Sequence, residues 1–280
     1  MDFLIINGEI TQKDDANLTH LFWDEPFVLA QKIWFGFGGI PLFNKNIDFL
    51  TQQLEVFQIK TPAFLKNRRE LFRITKRLLN KNKFYRSGIV TIQLFITGSG
   101  VEYVITPVAF PEFDFPILKK GLLVNFSESK RRPENLLNRH LFYNKTNWKI
   151  KRYQLRNSDF QNSILISRDG MVCEGIESNI FMIKDKVLII PSLDSGSFED
   201  TIRETVIKTA KLTGLKIAEL PNIKKEHVLE MNELFFASEE FGIQWILGVE
   251  SKRFVHEITK QIHKKLNEIL KEKAAFPKMK

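Results

Sequence analysis

Apolar and polar residues alternate in the second half of the chain, and this alternation predicts neighbouring strands. Ile164 and Ile166 precede the turn-forming triplet Arg-Asp-Gly at 168–170, and a second apolar run follows at 180–183. The stretch GMVCEGIESNIFMI therefore places a carboxylate, Glu174, between two strands with the pattern of a core. An unpaired carboxylate is costly to bury, so Glu174 needs a partner or a functional role.

Apolar residues at helical spacing predict amphipathic helices elsewhere in the chain. One face of the segment after GFGGIPLF carries Ile47, Leu50, Leu54 and Phe57. The segment SFEDTIRETVIKTAKLTG has acids near its start and a glycine just past its end, which is typical of a complete helix. Further helices are predicted over 66–83 and 256–272.

The segment PEFDFPILKKG, residues 111–121, interrupts the pattern with two prolines and predicts a connection between domains. Strands and helices alternate on both sides of it without an internal repeat. We predict an α+β chain of two mixed α/β domains. They are an N-terminal domain over 1–115, a linker over 116–121 and a C-terminal domain over 122–280.

The composition allows a large core and favours a cytoplasmic protein. The chain has 280 residues, of which 43% are hydrophobic, and its 25 Phe supply much apolar surface to bury. The single cysteine, Cys173, excludes an internal disulfide and fits a reducing compartment. The N-terminus MDFLIINGEI has strand and turn character in place of a signal peptide, and no apolar stretch reaches transmembrane length, so we expect no membrane partner.

The formal net charge of +9 raises the question of a nucleic-acid partner. The richest basic run, residues 66–83, carries its apolar residues at helical spacing, so its Lys and Arg side chains fall on a solvated face. No zinc, homeodomain or RNA-binding signature accompanies it. We therefore predict no nucleic-acid partner. A nucleic-acid-binding function that uses this helix is the least favoured of three interpretations of the chain.

Several catalytic classes lose support from the residues that the chain lacks. Its histidines show no metal-ligand spacing, it has no G-x-S-x-G elbow, and GFGG lacks the spacing of a dinucleotide loop. What remains is Lys145, in FYNKTNW, together with Glu174. A lysine can form a Schiff base with a carbonyl cofactor, and a carboxylate can hold a pyridine nitrogen protonated. The two residues alone do not establish that chemistry.

The order of the segments along the chain adds evidence to that from Lys145 and Glu174. INGEI near the start, GGIPLF before a helix, KTNW, DGMVCEGIESNIFMI with VLIIPS, and ELFFAS form a succession that resembles the class IV, fold-type IV pyridoxal phosphate enzymes. These include branched-chain aminotransferases, D-amino-acid aminotransferases and 4-amino-4-deoxychorismate lyase. The resemblance covers nearly the whole chain and is strongest over 145–246.

The resemblance implies a fold of the D-amino-acid aminotransferase type, with its site in the cleft between two domains, and a homodimer. It also implies pyridoxal 5'-phosphate as cofactor and a small amino acid or 2-oxo acid as substrate. Lys145 would be the Schiff-base lysine and Glu174 the partner of the ring nitrogen. The matched positions Ser178, Thr201 and Ile202 would also contact the cofactor. Transamination and lyase chemistry both remain open.

The departures from the family cluster where the cofactor phosphate is held. Asn46 and Phe49 stand where a family helix carries a His and a phosphate-binding Arg, and DTIR replaces the family's G-I-T-R at a helix start. Glu239 and Glu240 match small hydroxyl residues of the family. Trp148 matches a tyrosine, and the spacing from the lysine to the asparagine after it is one residue short.

These departures predict weak or absent cofactor and leave two main interpretations. The chain is a divergent pyridoxal phosphate enzyme that acts through Lys145, with Arg86 or Arg203 holding the phosphate. Alternatively, it is a catalytically degenerate homologue that has lost the cofactor and acts as a binding or partner protein.

Overall fold

The computed structural model describes residues 2–23, 25–98, 100–129 and 131–275. It divides into two compact units, one formed by residues 1–115 together with the chain from Glu268 onward, and the other by Pro116–Asn267. The sequence-based division assigned everything after residue 121 to the second domain. Residues 268–275 lie with the first unit, where an added Cβ at Gly39 would be 2.9 Å from the Ala274 carbonyl oxygen.

The first unit contains an antiparallel sheet that has, within the described residues, five strands in the order β2-β1-β5-β4-β3. Its core includes Ile47, Leu50 and Leu54 of the predicted helical face, which are fully buried. Phe57, also predicted on that face, follows the end of the helix and is half-buried. The elements are β1 Phe3–Ile6, β2 Glu9–Gln12, α1 His20–Trp23, β3 Phe27–Phe35, α2 Phe43–Val56, α3 Ala63–Lys66, α4 Arg68–Lys81, β4 Ser87–Thr97 and β5 Gly100–Phe110.

The basic segment forms helix α4, as its apolar spacing predicted. Leu71, Leu78 and Leu79 are buried on one face. Asn67 caps the helix by accepting a hydrogen bond from the Glu70 amide at 3.2 Å. The cationic side chains therefore occupy the other faces, where Arg73 pairs with Glu70.

The second unit contains a mixed sheet in the order β11-β10-β9-β12-β13-β6-β7-β8, with β14 paired to β13. The pairs β10–β11, β6–β13 and β6–β7 are parallel. The elements are β6 Leu122–Glu128, α5 Leu141–Gln154, β7 Asn162–Ile166, β8 Val172–Gly175, β9 Asn179–Lys184, β10 Val187–Pro191, α6 Thr201–Leu212, β11 Lys216–Leu220, α7 Lys225–Leu229, β12 Glu233–Ser238, β13 Gly242–Val249, β14 Lys252–Arg253 and α8 Glu257–Ala275.

The segment predicted as a linker is bonded to β13. Leu118 donates its amide to the Ile243 carbonyl at 2.9 Å, and the Trp245 indole donates to the Leu118 carbonyl at 3.0 Å. The two prolines therefore precede a segment that lies along the sheet of the second unit. No helix among the described residues is both long enough and apolar enough to span a membrane.

A buried carboxylate of β12 holds the start of α8. Glu233 is 2% exposed and accepts hydrogen bonds from the amides of Ile258 and Thr259, each at 2.8 Å. The Thr259 hydroxyl donates to the same side chain at 2.7 Å. Because the first amides of a helix have no partner within it, Glu233 satisfies two donors that would otherwise be buried unpaired.

Candidate functional site

Glu174 lies on β8, a short strand between the two predicted strands, and is fully buried. Its Oε1 lies 2.5 Å from Nη2 of Arg131 and accepts a hydrogen bond from the Trp148 indole at 2.6 Å. Its Oε2 accepts the Phe198 amide at 3.1 Å. The partner that the sequence required for this carboxylate is therefore supplied by the chain itself.

The contacts of Glu174 favour its ionised form. Burial raises the pKa of the Glu174 carboxyl, while the Arg131 guanidinium, followed by the Trp148 indole and the Phe198 amide, acts to lower that pKa. All three partners are donors. A protonated carboxyl would face them without an acceptor for its own proton, so the geometry holds a carboxylate that is matched by one positive charge.

Arg131 and Trp148 are themselves fixed in place. Arg131 is 6% exposed and donates from Nη1 to the Gly196 carbonyl at 3.0 Å. Its guanidinium carbon lies 5.9 Å from the centroid of the Trp148 ring, and that ring meets Phe198 edge-on with centroids 5.0 Å apart. The Glu174 carboxylate is thus enclosed by the Trp148 indole N–H and the Arg131 guanidinium, and both groups belong to one packed cluster.

Cys173, next to Glu174, has no nucleophilic character. Burial raises the pKa of this thiol to about 12, and Sγ lies 3.1 Å from the Ser195 carbonyl oxygen. Because the thiolate is the reactive form, this cysteine is inert in the folded protein.

The start of helix α6 is the second part of the site and holds two carboxylates. Asp200 caps the helix by accepting the Arg203 amide at 2.7 Å, and the same oxygen accepts from Nδ2 of Asn179 at 2.9 Å. The Thr201 hydroxyl donates to Glu239, on the turn after β12. Asp200 and Glu239 are both nearly buried, so the positive end of the helix dipole is already matched by acids.

Asp200 makes stability depend on pH. Burial raises its pKa from 3.8 to about 7; the Arg203 amide lowers that pKa and the Glu239 charge raises it. The pKa of Asp200 is higher in the folded than in the unfolded chain. The protonated carboxyl therefore contributes to the free energy of unfolding at low pH, and this contribution is lost as pH rises through about 7.

We expect Asp200→Asn, which keeps the accepting oxygen, to gain stability relative to the native chain between about pH 5 and about pH 8. With each pKa unit worth about 1.4 kcal/mol, the upper limit of this gain is about 4 kcal/mol. Urea unfolding across that range measures it. The control is Asp194→Asn, because Asp194 is 78% exposed. A gain that does not change with pH would contradict the assignment.

Two of the predicted contact residues have local roles. The Ser178 hydroxyl is buried in the turn after β8 and donates to the Ile176 carbonyl at 3.3 Å. Ile202 is fully buried in the first turn of α6 and contributes an apolar side chain there. Both residues belong to the second unit.

Lys145 lies on α5, a helix that the sequence analysis did not predict. The buried residues of α5 are Asn144 and Trp148, whereas Lys145 is half-buried. Nδ2 of Asn144 donates to the carbonyls of Asn138 at 2.7 Å and His140 at 3.1 Å. The buried residue of α5 one turn before Trp148 is therefore Asn144, whose side chain is an amide.

The candidate phosphate-binding arginines are engaged elsewhere. Arg203 is 4% exposed and donates to the Pro191 carbonyl at 2.8 Å and to Glu219 at 3.1 Å; burial lowers its pKa. Arg86 donates to the Pro111 carbonyl at 2.8 Å. Asn46 accepts from Gln31 at 2.6 Å in the core of the first unit.

These contacts do not fit pyridoxal phosphate held in the family's manner. A pyridine ring would have to reach Glu174, whose carboxylate has no exposed surface and already carries an aromatic N–H and a cation. A phosphate dianion at α6 would meet Asp200 and Glu239, which repel it. The positions that the cofactor ring and its phosphate would take are thus already occupied by side chains of this chain.

Comparison with known proteins identifies the relatives of the chain. Residues 38–246 match the family described as "Amino-transferase class IV". A probable branched-chain-amino-acid aminotransferase from Thermotoga maritima is 31% identical over 63% of this chain, a match that spans 60% of that relative's length. An aminodeoxychorismate lyase from Bacillus subtilis is 26% identical over 76% of this chain and 75% of its own.

A solved structure confirms the predicted fold class. A branched-chain amino acid aminotransferase from Thermobaculum terrenum, in its PLP-form, superposes with a TM-score of 0.82 at 18% identity, over 97% of this chain and 94% of its own. The mixed α and β fold is therefore that of the class IV aminotransferases. The matches together support an aminotransferase or lyase of this pyridoxal-phosphate-dependent class.

Proposed function

Because the chain belongs to the class IV aminotransferase family, we propose that it is a divergent member that binds a small amino acid or 2-oxo acid without the family's Schiff-base cofactor. The enclosure of Glu174 carries this proposal. The Trp148 indole gives Glu174 the aromatic N–H, and Arg131 the positive charge, that a protonated pyridine would bring. The family's anchor for the cofactor ring is thereby converted into an internal ion pair.

The lysine position supports the same conclusion. The spacing from Lys145 to Asn147 is one residue shorter than the family's, and the shortfall disappears if Asn144 is matched to the lysine. Asn144 is also the buried residue on the helix that carries Trp148. An amide cannot form an imine, so a chain with Asn144 at this position lacks the Schiff-base nucleophile.

A second candidate function keeps the cofactor. The family match and the half-buried Lys145, one turn before Trp148, favour a pyridoxal phosphate enzyme with Lys145 as Schiff-base lysine. Its reaction would be transamination or lyase chemistry on a small amino acid. When bound, the cofactor would supply an electron sink for a carbanion.

One experiment separates the two candidates. The purified chain is dialysed, its absorbance is read at about 410–430 nm, and it is then titrated with pyridoxal phosphate, reduced with borohydride and mapped by mass spectrometry. We expect no stoichiometric cofactor after dialysis, and the same weak labelling in the native chain and in Lys145→Ala. Full occupancy through dialysis, with the reduced adduct on Lys145 and lost in Lys145→Ala, would establish the second candidate.

A further inference from the structure

We propose a binding site for a small phosphorylated compound in a cavity at the carboxyl ends of β6 and β7. The cavity has a volume of about 530 Å³, which suits a small metabolite. Its charged side chains come from three separate segments of the second unit. They are Glu128 and Arg132 at the end of β6 and after it, Arg168 in the turn after β7, and Lys225 at the start of α7.

Backbone hydrogen bonds hold these three segments next to one another. The Arg168 amide donates to the Arg131 carbonyl at 2.9 Å, which ties the turn after β7 to the segment after β6. The Val172 amide donates to the Ile223 carbonyl at 2.7 Å, which brings the chain just before Lys225 to the start of β8. The fold therefore imposes the convergence of the cations, and the wall is built before any ligand arrives, which lowers the entropy lost on binding.

The three cations of this wall have no counter-charge within the part of the chain that the structure describes. Arg132, Arg168 and Lys225 form no ion pair there, with Glu128 or with any other described acid. Nζ of Lys225 lies 5.6 Å from the centroid of the Phe126 ring, which positions it by a cation–π contact. The arginines are exposed and Lys225 is half-buried, so a ligand can reach their donor groups.

The charge at the cavity favours a phosphomonoester over a simple carboxylate. Three cations and one acid leave the described wall with an excess of two positive charges, and a phosphomonoester carries about two negative charges at neutral pH and three terminal oxygens. Each guanidinium offers a planar fork for two of these oxygens, and the lysine offers a point charge. The Glu128 carboxylate remains as an acceptor for a hydroxyl group on the rest of the compound.

This inference goes beyond the proposed function and does not depend on it. Glu174, Asn144 and Lys145 do not line this cavity. The cofactor experiment reads an adduct on Lys145, whereas this site is tested through Arg168 and Lys225. A failure of one test therefore leaves the result of the other unchanged.

Isothermal titration calorimetry at constant ionic strength tests the site with glycerol 3-phosphate, inorganic phosphate and succinate. We expect one equivalent of glycerol 3-phosphate to bind and inorganic phosphate to compete with it. Succinate, a dicarboxylate of similar charge, should bind at least about tenfold more weakly, because its two carboxylates cannot place three oxygens on one centre. Arg168→Gln and Lys225→Gln should each weaken glycerol 3-phosphate binding about tenfold or more, since a charge-assisted bond is lost.

The matched control is Arg156→Gln, which makes the same change in net charge by removing an exposed arginine stacked on Tyr153, and should leave binding unchanged. Thermal unfolding of each variant checks that the fold is kept. The proposal is overturned if glycerol 3-phosphate does not bind the native chain, or if Arg168→Gln and Lys225→Gln both bind it as the native chain does. Succinate binding as tight as that of glycerol 3-phosphate would refute the phosphate class.

Discussion

Replacing Arg131 with methionine should lower the free energy of unfolding by about 3–5 kcal/mol, because it leaves the Glu174 carboxylate buried without its counter-charge. The two side chains are 5% and 0% exposed, so water cannot replace the lost partner. The remaining donors, the Trp148 indole and the Phe198 amide, carry no formal charge. Urea unfolding at constant pH measures the loss.

The loss should grow as pH rises, because burial raises the pKa of Glu174 and the variant can shed the charge at low pH by protonation. The double variant Arg131→Met with Glu174→Gln should recover part of the stability, since the buried charge is removed and the amide oxygen can still accept from Trp148, while the amide nitrogen faces the Phe198 N–H. Arg139→Met is the matched control. Its partner Asp194 is exposed, so we expect a loss of about 1 kcal/mol or less. Equal losses in the two single variants would refute the importance of the buried pair.

Replacing Glu233 with alanine should cost about 3–5 kcal/mol, because three donors lose one acceptor group at the start of α8. Two of them are helix amides that α8 cannot satisfy itself, and the truncation also leaves a cavity. Differential scanning calorimetry would measure the change in Tm.

Glu233→Gln retains one accepting oxygen and should show a smaller loss than Glu233→Ala. Glu230→Ala is the control on the neighbouring turn, because the pairing of Glu230 with Lys184 is exposed and should contribute little. If Glu233→Ala melted at the same temperature as Glu230→Ala, the capping role would be excluded.

The burial of Glu174 could be predicted from the sequence, because strand-type apolar runs flank it on both sides. Its partner could not. Arg131 is one of 42 Lys and Arg residues, and no local pattern distinguishes the one that folds back onto β8. Arg131 follows β6, and its carbonyl accepts the amide of Arg168 at 2.9 Å, a contact distant in sequence.

Helix α5 was missed because it buries few side chains. Of its residues only Asn144 and Trp148 are buried, and one of them is polar, so the apolar stripe that normally indicates a helix is absent. The acids at α6 were predicted to crowd the helix start. Their specific partners, Asn179 for Asp200 and Thr201 for Glu239, depended on tertiary structure.

The parallel pairing of β6 with β13 has a consequence for synthesis on the ribosome. Leu122, at the start of β6, is in register with Ile246, near the end of the chain. Until β13 emerges, β6 and β12 each lack a neighbour and expose unpaired backbone groups. β6 therefore keeps an open edge inside its future sheet while residues 129–241 are translated, whereas β12 is completed only shortly before β13 begins at Gly242. We expect a chain that stops before Gly242 to leave this edge of β6 unpaired, and an unpaired strand edge promotes aggregation.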